Sequence, residues 1–128
     1  MKNEIVKEWF ERAKRDFETA KLVFIHRGYY DEAVFLLHQA VEKYLKGYLI
    51  FQGWELKKIH DIYILLLEVT KHNVSFKKFL DIGKKLTSFY YENRYPPGLP
   101  SEIQEEEAKE ILEEVERIIE LIREEIGL

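Results

Sequence analysis

The 128-residue chain has no cysteine, which excludes disulfides, thiol nucleophiles and thiolate metal sites. It has three prolines, all in one late stretch, "NRYPPGLP". Its six glycines are scattered, and no G-x4-G-K-S/T run occurs, so a phosphate-cradling loop of that type is excluded. The longest apolar runs, such as "IYILLL", fall far short of a bilayer span. The N-terminus lacks the charged, apolar and small-residue order of a signal peptide, and a cytoplasmic, non-membrane protein is expected. Acidic side chains are almost all glutamate, 20 against 4 aspartates. With abundant Lys and Arg, that bias suggests a heat-adapted (thermophile) source.

What is present describes a folded chain. A hydrophobic share of 46% beside a charged share of 34% argues against disorder. The length suits one domain over residues 1–128. Charge is uneven: residues 1–101 carry a formal +4, and residues 102–128 carry −8. No concentrated basic stripe emerges, so nucleic-acid binding is not expected.

Apolar residues recur at helical spacing throughout. The first helix is expected from about Glu4 to His26, with Ile5, Trp9, Ala13, Phe17, Ala20 and Phe24 inward, and a stop at Gly28. Asp31 suits the N-cap of a second helix that ends near Gly53. A third, short helix starts around His60-Asp61, and Ser75 suits the cap of a fourth. The prolines end that fourth helix, and Ser101 to Gln104 has the spacing of a capping box for a fifth. The predicted fold is all-α: an up-and-down antiparallel bundle of four long helices plus one short helix.

One helix carries polar residues on its apolar face. In "FLLHQAVEKYLKGYL", His38 lies among Val34, Leu45 and Leu49, and Glu42 and Lys46 follow at i+4 and i+8. Two readings stand. Glu42 orients His38 in a polar pocket where Lys46 meets phosphate, or His38 and Glu42 satisfy each other in the core while Lys46 reaches solvent. Lys43 would be the solvent-facing contact. No second helix supplies the Glu-x-x-His set of a bundle di-metal site, so no metal is expected.

Several short patterns occur in order: W-x3-A-x2-D-x3-A (Trp9, Ala13, Asp16, Ala20), G-Y-Y-D-E-A (Gly28 to Ala33) and A-V-E-K-x2-K (Ala40 to Lys46). K-x-H-D (Lys58, His60, Asp61) and R-Y-P (Arg94 to Pro96) follow. Together they resemble a HEPN domain, named for higher eukaryotic and prokaryotic nucleotide binding. The likeness is to the stand-alone prokaryotic type, and the helical domain of kanamycin nucleotidyltransferase is similar. The resemblance implies a homodimer, a minimal nucleotidyltransferase as partner, and a nucleotide as the ligand at their junction. It also suggests a toxin–antitoxin-like module. Many HEPN ribonucleases use Arg-x4–6-His, and here no arginine has a histidine at that distance. A non-catalytic role is therefore the leading expectation.

The candidate contacts are His38, Glu42, Lys43, Lys46, His60, Arg94 and Tyr95. His60 follows Lys57 and Lys58 and could receive a phosphate, while Asp61 complements a helix N-terminus. Arg94 and Tyr95 precede two prolines whose stiffness could aim them at a ligand. Tyr29-Tyr30, Phe89 to Tyr91 and Tyr95 supply ring area suited to an interface. Two alternatives remain open: a ribonuclease built on His38, Glu42 and Arg94, and a nucleotide sensor built on Lys43, Lys46, His60 and Arg94.

Overall fold

The computed structural model describes residues 2–92 and 103–127. Every regular element among them is helical: α1 (Lys2–His26), α2 (Tyr30–Phe51), α3 (Ile62–Thr70), α4 (Leu80–Glu92) and α5 (Glu105–Ile126), with a 3-10 turn at Val74–Phe79. The all-α bundle is the predicted fold. No helix is long and apolar enough to cross a membrane among the described residues.

α2 is the central element. Leu37, Val41, Leu45 and Leu49 recur at helical spacing and are essentially inaccessible, so α2 is covered along its length. α1 packs beside it, and α3, α4 and α5 close the remaining sides. The α5 seam of Ile111, Val115, Ile118 and Ile122 is buried as its spacing predicts, with glutamates outward. Truncating one such residue, Leu45→Ala for example, would cost about 2–5 kcal/mol.

Glycines permit two close approaches. A Cβ at Gly47 would stand 2.8 Å from the Phe10 ring, so that ring lies directly on the α2 backbone where the atom is missing. At Gly83 it would stand 2.7 Å from Leu66, where α4 crosses α3.

Local starts and stops differ from expectation in four places. α1 buries Val6 and Phe10 rather than Ile5, which is 53% exposed, and Trp9, which is half-buried. The two stripes differ by one residue, and the buried one has room for the Phe10 ring at Gly47. The N-cap of α2 is Tyr29, while the Asp31 carboxylate accepts from the neighbouring Glu32 amide, 2.9 Å away. Asn73, not Ser75, caps the next segment: its side chain accepts from the Ser75 amide at 2.9 Å. A six-residue 3-10 turn then intervenes before α4 begins. Gln104 is itself the N-cap of α5, without a side-chain cap bond, so it cannot be the third residue of a capping box. Ser101 lies outside the described residues, and three glutamates complement the dipole at this end instead. Gly28, with φ of 66°, and Gly53, with φ of 98°, adopt the left-handed turns that end α1 and α2.

Candidate functional site

The polar row of α2 converges on a residue from another segment. Glu42 is buried, with Lys46 one turn beyond. The Lys46 ammonium donates to Glu42 Oε2 at 3.0 Å and lies 6.0 Å from the centre of the Trp9 ring. On its other side the carboxylate faces His60, whose Nδ1 stands 3.2 Å from Oε1 and 3.1 Å from Oε2. A buried carboxylate is tolerable when a cation and a further donor both satisfy it. Glu42 has both.

His38 serves the same residue from the core side. It is 0% exposed, and its Nε2–H donates to the His60 carbonyl at 3.0 Å. Burial pushes its pKa below the ordinary 6.5, against the opposing pull of the Glu42 charge. The ring is therefore neutral at pH 7, with its proton on Nε2. Tyr90 from α4 stacks on it, 4.2 Å between centroids and 12° between planes. The Tyr90 ring also lies near Phe35 (5.5 Å) and His60 (6.2 Å).

The chain on the far side of His60 is anchored too. The Asp61 side chain caps α3 by accepting from the Ile64 amide at 3.1 Å. The Thr87 hydroxyl of α4 accepts from the Ile62 amide at 2.9 Å. His60 is thus held by its carbonyl, by Nδ1 and through the residues that follow it. Its side chain is nonetheless 51% exposed, and among the described residues its Nε2 has no hydrogen-bond partner. An imidazole fixed by a carboxylate at Nδ1 presents one defined nitrogen: neutral, it accepts a proton or hydrogen bond there, and once Nε2 is also protonated it can donate to an anion.

The predicted residues therefore separate. His38, Glu42, Lys46 and His60 come together, but Glu42 orients His60 rather than His38. Among the described residues no hydrogen bond joins His38 to Glu42. Lys46 does not reach solvent: it is 4% exposed, because Glu42 and Trp9 hold it between α1 and α2. Lys43 does not face solvent as an open contact either. It pairs with Asp16 of α1, both side chains largely covered. Arg94 and Tyr95 lie outside the described residues. The helix spacing of α2 showed its own row, but not Tyr90 or Thr87, which are forty or more residues away in sequence. Only tertiary packing reveals those two.

The recurring sequence patterns acquire structural reasons here. In W-x3-A-x2-D-x3-A, Trp9 meets Lys46, Asp16 meets Lys43, and Ala13 and Ala20 are inaccessible where α1 touches α2. In A-V-E-K-x2-K, every polar member has a partner on α1, on α2 itself or in the loop before α3.

Comparison with known proteins agrees with this geometry. The HEPN domain family matches residues 6–125. ST0689, described as an archaeal HEPN homologue, is a solved structure 31% identical to the chain. It superposes with a TM-score of 0.74 over 94% of this chain and 97% of its own. The crystal structure of TT1696 from Thermus thermophilus is 26% identical, with a TM-score of 0.81 over 93% and 96% of the two chains. No curated protein matches. With a family match over nearly its whole length and a helical bundle shared with these structures, the chain belongs to the HEPN domain family.

Proposed function

We propose that this chain is a dimeric, non-catalytic HEPN subunit that pairs with a minimal nucleotidyltransferase, in a toxin–antitoxin-like module. In this reading it lends His60 to the phosphates of a nucleotide held at their junction. The observation that carries the reading is the hold of Glu42 on Nδ1, which leaves a half-exposed imidazole with Nε2 outward. Exposed Lys57 and Lys58 immediately upstream add positive charge suited to phosphate. Apolar side chains left at the surface, among them Leu22, Ile25, Ile64 and Leu67, supply material for contacts with other chains. The absence of an Arg-x4–6-His spacing supports a non-catalytic role.

The test is to purify the chain with the nucleotidyltransferase encoded beside it, measure assembly by light scattering, and titrate ATP by calorimetry. A complex containing two copies of this chain is expected. His60→Gln should leave assembly intact and weaken ATP binding about tenfold or more, the loss of one hydrogen bond to a charged group. A monomeric chain, an unrelated neighbouring gene or an indifferent His60→Gln variant would count against the reading.

The same oriented imidazole favours one second reading, a ribonuclease with His60 as its proton-transfer group. It replaces the version built on His38, whose inaccessibility prevents contact with RNA. RNA cleavage by the wild-type complex that disappears in His60→Gln would select it. The sensor built on Lys43, Lys46, His60 and Arg94 is weakened, since both lysines already have carboxylate partners.

A further inference from the structure

Away from His60, where α1 begins and α2 and α5 end, an open groove of about 580 Å³ runs between the three helices. Its floor is Phe10, Tyr44 and Ile122, with Phe51 and Ile126 as walls. This volume falls in the range of roughly 300–1,000 Å³ that small-molecule sites occupy. The lining is overwhelmingly apolar, and the charges stand only at the rim. Lys7, Lys14 and Arg123 are there with the Glu11 carboxylate; Lys14 is paired with Glu18 at 3.8 Å, which leaves Lys7 and Arg123 as the cations a ligand would meet.

That rim is unusual for this chain. Its net charge is −4, and the last 27 residues carry only three cations, of which Arg123 is one. The Arg123 guanidinium lies beside the Tyr44 hydroxyl, at the junction of the apolar floor and the charged edge. An apolar trough with a cationic edge complements a molecule with an apolar tail and one anionic head.

We infer that this groove binds a long-chain carboxylate, its tail along Phe10, Phe51 and Ile126 and its head against Arg123 and Lys7. None of Glu42, Lys46 and His60 lines the groove, so this inference stands or falls independently of the nucleotide reading.

The experiment titrates octanoate, decanoate and neutral 1-decanol into the full chain, using calorimetry and methyl and aromatic NMR shifts. Decanoate should bind about fifteenfold more tightly than octanoate, at about fourfold for each of two buried methylenes. It should also bind more tightly than 1-decanol, with the largest shifts at Phe10, Tyr44, Phe51, Ile122 and Ile126. Arg123→Gln should weaken decanoate about tenfold and leave 1-decanol unchanged. Phe51→Glu should abolish both. Positions 51 and 123 are exposed, and circular dichroism of each variant checks that the fold is intact. The inference is overturned if decanoate does not bind or binds no better than 1-decanol. It is equally overturned if Arg123→Gln binds decanoate like wild type, or if the shifts centre on Leu22 and Ile25. Groove resonances that follow protein concentration rather than added decanoate would identify a second copy as the occupant, and would also overturn it.

Discussion

His38 and His60 are joined by a hydrogen bond across 22 residues of sequence, yet their surroundings are opposite. His38 is inaccessible, neutral, stacked on Tyr90 and committed to a backbone carbonyl. His60 is half-exposed, oriented by a carboxylate, and presents its remaining nitrogen outward. One histidine fixes the other in place. A histidine in the middle of an apolar helix face attracts attention in a sequence, but burial removes its access to any ligand. The half-exposed imidazole is the one its hydrogen bond supports.

If that division holds, the two histidines and the acid between them respond differently to substitution. Glu42→Ala should have the largest effect, about 3–5 kcal/mol of stability lost in urea denaturation, because it leaves Lys46 buried without its counter-charge. Replacing both by leucine, Glu42→Leu with Lys46→Leu, should recover most of that loss, while His60 loses its fixed orientation and its ligand response. Recovery of the ligand response together with stability would break the link drawn between Glu42 and His60.

A smaller loss is expected at the core histidine. His38→Gln should cost about 1–3 kcal/mol, since the Tyr90 stack is lost and a flexible amide replaces the ring that donates to the His60 carbonyl. This variant also changes the pH dependence. Burial lowers the His38 pKa in the folded state below 6.5, so below that pH the unfolded chain binds the extra proton first. The contribution of His38 is therefore complete above about pH 6.5 and declines as pH falls toward its folded-state value. Wild-type protein should lose stability as pH falls below about 6.5, and His38→Gln should lose less over the same fall. Parallel curves would mean that His38 is not held neutral.

The least change in stability belongs to His60. His60→Gln should cost about 1 kcal/mol or less, because the Gln amide can still donate to Glu42, while the proposed ligand contact of Nε2 is lost. A large destabilisation would make His60 a structural residue like its partner and remove the contrast.

Much of the architecture was legible because it follows from period and punctuation. α2 and α5 show their buried faces in the spacing of Leu and Ile, and Asp61 caps α3 as its position suggests. The misplaced details are those that depend on another element. That Phe10 is buried more deeply than Trp9 goes with the room left for its ring at Gly47 on α2, which α1 alone does not reveal. The α2 row of His38, Glu42 and Lys46 was readable as a row, but its target was not. The loop that brings His60 over Glu42 has no periodicity, and Tyr90 and Thr87 arrive from α4. Lys43 reads as an exposed contact until Asp16 of α1 is placed opposite it. Of the seven residues marked in the sequence, five lie among the described residues. Four of those five hold the fold together, and the fifth, His60, presents an open nitrogen.

The most direct test is long-range nitrogen NMR of the imidazoles at mildly alkaline pH, with and without ATP and the nucleotidyltransferase. The expected result is a proton on Nε2 of His38 and on Nδ1 of His60 in the free protein, with His60 Nε2 gaining a proton, and its resonance alone moving, when nucleotide is bound. A His60 ring protonated at Nε2 instead, or a His38 signal that moves while His60 stays still, would contradict the assignment of His60 as the presented group.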